Sequence, residues 1–370
     1  MRYNLAVTTA CLAATSVASP SPASPSSGVS RRDGLGLLSQ LPANVVSSFT
    51  ADPVFSDNFS GPAGAFQDAK WQYYNGSGTT KPVNDETEIY PQQGQTCALS
   101  GQNTLQIAPQ KVGGNLVSCR LSSAQSWKAE IGQKIAFVAN LRLGTSTQKL
   151  GGFWPAFWAL GEDGRSGPNT PWPTCGEIDT MENVNGDGII HSTVHCGPAC
   201  KDKSGSYEGI TGMTTGDAYT MGDYATFAHI IDRTDPDETQ HSITFYVNQV
   251  QVNKVMYADL VGNDASTAKA SWAALTDAPF YIVMNVALGG GWPGPVDPNL
   301  PMGLASGMEV KGVEVHLTGG AAASGAPAAS GAPAASTPAA SAGVTAAPAP
   351  SGSATAPAPA QKRATSSFAA

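Results

Sequence analysis

Phe280-Tyr281-Ile282-Val283-Met284-Asn285-Val286-Ala287-Leu288 is a near-continuous apolar run rich in β-branched and aromatic residues, closed by Gly289-Gly290-Gly291. Such a run predicts a strand covered on both faces. Outward from it the period is two: Ile243, Phe245 and Val247 alternate with Thr244, Tyr246 and Asn248, and Val313, Val315 and Leu317 with Gly312, Glu314 and His316. Gly and Pro clusters punctuate the chain at short intervals, as in 164–173, and no long helical apolar stripe stands out. The expected fold class is all-β, a β-sandwich or jelly roll.

Core-forming pattern occupies roughly 45–318 of the 370 residues, so one sizeable domain is expected there. Residues 1–18 read as a secretory signal, with Arg2, an apolar run from Leu5 to Ala14, and Ser16-Val17-Ala18 as a small-residue cleavage site. Residues 19–44 read as a linker or propeptide that contains the pair Arg31-Arg32, open to dibasic processing. Residues 319–370 are Ala, Ser, Pro, Gly and Thr with little else, too poor in apolar surface to offset ordering entropy, and read as a disordered stalk. The expected location is therefore outside the cell, soluble, without membrane insertion and without a lipid anchor. Asn58 and Asn75 begin glycosylation acceptor triplets, which matter if the chain is exported.

Six cysteines include Cys11 in the signal, leaving Cys97, Cys119, Cys175, Cys196 and Cys200. Outside the cell disulfides are expected, with Cys97 to Cys119 and Cys196 to Cys200 the first choice and Cys175 able to replace either partner of the second. A metal site made of His195, Cys196 and Cys200 is the alternative. A net charge of −8, with 13% charged residues and no basic cluster, argues against nucleic acid and suits a neutral polymer.

Glu177-Ile178-Asp179-Thr180-Met181-Glu182 sets three acids in six residues amid β-formers. Like charges that crowd raise at least one pKa, which suits a group that must donate a proton near neutrality. In a regular strand Glu177 and Asp179 share a face while Glu182 points away. One extra residue absorbed near Thr180 or Met181 would return Glu182 to that face. The two glutamates could then lie about 5 to 5.5 Å apart, the separation of nucleophile and acid/base in retaining glycoside hydrolysis. A solvated strand or a calcium site is the competing reading. Trp154 and Trp158, one strand earlier and on one face, would supply sugar-ring platforms or simply core. A hairpin through 184–188 brings His195 back towards Glu177, to orient a carboxylate or bond a hydroxyl.

With these residues the chain resembles glycoside hydrolase family 16, the laminarinase and mixed-linkage glucanase group. Also similar are 152–161, Thr193-Val194-His195-Cys196-Gly197, the stretch from Asn285 to Gly290, and Trp292-Pro293-Gly294. The resemblance spans most of 55–317 and is closest to secreted fungal members. It implies the concanavalin A-like jelly roll with an open cleft and endo action. Glu177 would be the nucleophile, Glu182 the general acid/base and Asp179 the helper that holds and electrostatically tunes the nucleophile, with Trp154, Trp158, His195, Asn285 and Trp292 along the substrate. No cofactor or metal is implied, and the partner is a polysaccharide, a β-1,3 or mixed β-1,3/1,4-glucan, met by a monomer. A transglycosylase, an enzyme for another β-glycan such as a galactan, and a non-catalytic lectin-like domain are the rivals. One departure stands out: many members carry Glu-Ala-Arg where this chain has Val138-Ala139-Asn140, with Arg142 two positions on. Asn140 lacks the cationic fork of arginine, so hydroxyl recognition near the cleavage point is expected to differ.

Overall fold

Alternating residues become strands through most of the structure, a computed structural model that describes residues 36–319 except 50–51, 75–82, 92–93, 95, 145–148, 167–171, 202–208, 215–217 and 261–263. The expected signal, the Arg31-Arg32 pair, the Asn75 acceptor and the stalk from 320 onward lie outside these described residues. In chain order the strands are β1 (Phe55–Asp57), β2 (Gly64–Ala65), β3 (Trp71–Tyr73), β4 (Cys97–Leu99), β5 (Leu105–Ile107), β6 (Gln110–Val112) and β7 (Asn115–Val117). There follow β8 (Arg120–Ser123), β9 (Lys134–Leu143), β10 (Phe153–Gly161), β11 (Glu177–Glu182), β12 (His191–His195) and β13 (Ile210–Met213). The last are β14 (Ala225–Asp232), β15 (Ser242–Val247), β16 (Val250–Met256), β17 (Phe280–Leu288) and β18 (Met308–Leu317).

Two antiparallel sheets form a sandwich of the jelly-roll type. One runs β16-β15-β14-β9-β18-β5-β4-β2, with β1 also paired to β18; the other runs β13-β12-β11-β10-β17-β8-β3. Facing side chains such as Phe137, Phe227 and Phe245 from the first and Phe153, Phe157, Ile178, Ile282 and Met284 from the second make one core. Such inward packing is what fixes strand register, since a slip of one residue would turn each apolar set to water. β17, formed by the apolar run from Phe280 to Leu288, lies between β10 and β8 with all nine residues buried. Its outer side is covered too: Tyr281 and Val283 pack with Leu160 and Cys175, against Trp158.

The packed chain reaches back before residue 45. Gly36–Gln40 forms a 3-10 turn and Ala43–Val46 a helical turn, and Leu38 and Leu41 are buried with Phe49 against Ala136, Val138, Ala228, Ile230 and Tyr246 on the far side of the larger sheet. These leucines had read as linker because two apolar residues among Gly, Ser and Pro have no period. Ala265–Thr276 is a twelve-residue helix that the sequence reading did not contain. Asp264 caps it by accepting the Ser266 and Thr267 N–H groups, and its buried face is Ala268, Ser271, Trp272 and Leu275. Spacing i, i+3, i+4, i+7 is present, but Ala and Ser in two of the four places hid the stripe.

Cys97–Cys119 and Cys196–Cys200 are disulfides and Cys175 is a buried free thiol. The pairing of Cys196 with Cys200 removes both thiolates from the alternative metal site with His195. Cys97 and Cys119 are 22 residues apart and tie β4 to the entry of β8. Closing a loop of that length restricts the unfolded chain, so replacing both by alanine is expected to cost about 3 kcal/mol, read as a lower urea midpoint with a somewhat steeper slope as the released chain exposes more surface.

Candidate active site

β11 pairs with β10 on one side and β12 on the other, and both ladders break at one residue. Across β10, Glu177 opposes Leu160, Ile178 opposes Ala159 and Asp179 opposes Trp158; then Met181 opposes Phe157 and Glu182 opposes Ala156. Across β12, Asp179 opposes Thr193 and Glu182 opposes His191, so three steps on β11 match two on its partner. Thr180 is the extra residue of a β-bulge. Thr180 and Met181 are 1% and 0% exposed, both turned into the sandwich, so alternation restarts and Glu182 emerges on the face of Glu177 and Asp179. Gly176, at φ +80, makes the turn into the strand, where a Cβ would collide with the Ala274 carbonyl oxygen.

Around the acids the partners are aromatic or basic. The Trp154 indole N–H donates to Glu182 Oε1 at 2.9 Å, and Trp172 Nε1 donates to Glu177 Oε2 at 3.2 Å. His195 Nε2 lies 3.2 Å from Asp179 Oδ2 and 3.8 Å from Glu177 Oε1. Trp292 stands edge-on to Trp154 at 5.5 Å and to His191 at 4.9 Å, and both Trp292 and Trp172 are about half exposed. Glu177, Asp179 and His195 also form a grouping that could hold a metal ion. Their shared contacts equally suit a carboxylate pair steered by an imidazole.

Burial dominates the electrostatics. It pushes Glu177 up to about 8, with Asp179 and Glu182 adding to the rise and His195 and Arg120 opposing it. Asp179 rises to about 8 through burial, and Glu182 to about 8 through burial and Asp179, against the pull of Trp154 and His195. A carboxyl whose folded pKa exceeds its unfolded value binds its proton more tightly when folded. The cluster therefore costs nothing below about pH 4 and destabilises the fold progressively as pH rises towards 8. Glu177→Gln and Glu182→Gln are expected to raise the melting temperature by several degrees at pH 8 and by little at pH 4, measured by calorimetry.

Of the residues expected along the substrate, Trp154 and His195 meet the acids directly, and Trp292 stands against Trp154 and His191. Trp158 and Asn285 stand one layer back. Trp158 Nε1 donates to Asn285 Oδ1 at 2.8 Å, Asn285 Nδ2 donates to Tyr90 Oη at 3.3 Å, and the Arg120 guanidinium sits 4.8 Å over the Trp158 ring. Asn285 spends its amide inside the protein and Trp158 offers one face to a cation. Asn140, whose departure was expected to alter recognition near the cleavage point, is elsewhere, as is Arg142: both are on β9 of the other sheet. Asn140 donates to Thr226 Oγ1, and Arg142 donates to Glu309 Oε2 at 2.8 Å. The departure at 138–140 is thus a matter of the sheet's outer face, and the arginine beside the acids is Arg120.

Sequence reasoning missed Arg120, Trp172, and the buried set Glu86, Glu88 and Tyr90 behind Asn285. Tyr90 Oη donates to Glu86 Oε2 at 3.3 Å, and Glu88 Oε2 accepts the Leu288 N–H. Glu86 is pushed up to about 8 by burial and by Glu88. Acids at 86 and 88 with Tyr90 on the same alternation were a legible signal of the same kind as the triplet; Arg120 and Trp172 carried none.

A two-sheet jelly-roll sandwich thus carries bulge-aligned carboxylates beside tryptophans on its outward face. Known proteins share this arrangement of sheets. Residues 85–228 match the family described as XgeA-like, catalytic GH16 domain. The chain is 27% identical over 268 residues to a keratan-sulfate endo-1,4-β-galactosidase of Sphingobacterium multivorum, covering 71% of this chain and 56% of the relative. It is similar to the crystal structure of an endo-1,3-β-glucanase from Streptomyces sioyaensis, with TM-score 0.64 and 29% identity over 72% of this chain and 96% of that one. The laminarinase from Rhodothermus marinus superposes with TM-score 0.55 at 26% identity, over 71% and 96% of the two chains. Over residues 85–228 this chain is therefore similar to the catalytic domain of glycoside hydrolase family 16. It spans about half the length of the first curated relatives it matches.

Proposed function

We propose that the chain is a retaining, endo-acting hydrolase of β-1,3 or mixed β-1,3/1,4-glucan, working outside the cell as a monomer. The observation that carries this reading is the bulge at Thr180, which puts Glu177, Asp179 and Glu182 on one outward face beside Trp154, Trp172 and Trp292. Their environments divide the labour. Glu177, which accepts the Trp172 N–H and whose charge His195 and Arg120 favour, takes the part of the carboxylate that attacks the anomeric carbon. Glu182, pushed up to about 8 by burial and by Asp179, keeps its proton near neutrality and gives it to the departing glycosidic oxygen. The glycosyl-enzyme bond is then broken by water that passes its proton back to Glu182.

The S. sioyaensis and R. marinus enzymes, named for β-1,3-glucan and laminarin cleavage, support a glucan substrate. A galactan is the second reading, favoured by the S. multivorum relative, named for an endo-galactosidase. Laminarin, lichenan, keratan sulfate and agarose, each incubated with the protein and sized by chromatography, decide between them. Short oligosaccharides from laminarin or lichenan with β-configured new ends in early NMR spectra are expected. Release from the galactans alone would transfer the assignment to the second reading, and lengthened chains would make it a transglycosylase.

A further inference from the structure

The residue that creates the bulge is tied to the opposite sheet. Thr180 Oγ1 lies 2.7 Å from Nδ1 of His229, which is fully buried on β14. His229 is flanked in register by Phe137 on β9 and Phe245 on β15, stacked on the first at 4.7 Å and tilted to the second at 6.1 Å. Its Nε2 is buried without a hydrogen-bond partner. Thr180 is also held through its carbonyl, which accepts the Ser192 hydroxyl at 3.0 Å from β12. An imidazole between two phenylalanines and a hydroxyl at 1% exposure are each expensive to bury alone. Each is the other's partner across the core, at the one position where the β11 register shifts. Phenylalanine and valine would pack there at lower cost. An unbulged register would instead turn Glu182 into the core.

We propose that Thr180 and His229 are positioning residues: their hydrogen bond pins the bulge and so sets the aim of Glu182 and Glu177. The pair touches no substrate and acts only through the backbone of β11. This rests on the hydrolase reading for its kinetic arm, and a second arm is independent of it. Because a misplacement of about 1 Å costs up to about 100-fold, Thr180→Val and the double variant Thr180→Val/His229→Phe are expected to lose about 10- to 100-fold in kcat with KM unchanged. Thr180→Ser, which keeps the hydroxyl, should restore the wild-type rate. The double variant leaves no polar group stranded and is expected to fold even if Thr180→Val does not.

The second arm is the indole N–H resonance of Trp154, which reports its bond to Glu182. It should move in both Val-containing variants and stay in place in Thr180→Ser. Wild-type protein silent on every glycan would sink the hydrolase reading while leaving the resonance to judge the pin. An active wild type, with a folded double variant of equal kcat and an unmoved Trp154 resonance, would overturn the pin itself.

Discussion

Glu177→Gln is expected to abolish turnover of laminarin, by at least about 10⁴-fold in kcat, while the melting temperature at pH 8 rises. The amide is isosteric and neutral, so packing survives and the repulsion from Asp179 goes, but it cannot attack the anomeric carbon. Stability and activity thus move in opposite directions, which a simple folding defect would not produce. Glu177→Gly supplies the sharper form of the test. Azide entering the space left by the carboxylate attacks from the nucleophile's side and gives a glycosyl azide of inverted configuration. A Glu177→Gln protein with wild-type turnover would remove the residue from its assigned role.

Glu182→Gln is expected to lose about 10²- to 10⁴-fold on polysaccharide, the usual contribution of a general acid, and far less on aryl glycosides whose leaving groups need no proton. The dependence on leaving group separates an acid from a nucleophile. Azide acts at the second step here, attacking the glycosyl-enzyme without help from a base, so rescue of Glu182→Gly returns a product of retained configuration. Loss equal on both substrate classes would reassign Glu182 to a structural or electrostatic part.

The all-β sandwich was open to reading because its signals are local: period two in β15 and β18, and a nine-residue apolar run in β17, can be counted along the chain. The acids at 177, 179 and 182 were conspicuous for the same reason, since charge inside a β-forming stretch is rare. Even the bulge could be inferred, because three acids on one face require one extra residue between 179 and 182. Which residue takes that role, and what anchors it, could not be read.

Chain order alone determined the fold class and the position of the carboxylates; the bulge that gives them a common face is a feature of the folded ladders. Contacts between residues far apart in the chain decided the rest. His229 reaches Thr180 across 49 positions, Trp158 meets Asn285 across 127, and Arg120 rather than Arg142 stands by the acids because β8 and β9 pair into different sheets. Periodicity reports which face of a strand is apolar, a property of neighbours in the chain. Which strands become neighbours in space is set by how both sheets jointly exclude water, and that is a property of the whole packed molecule.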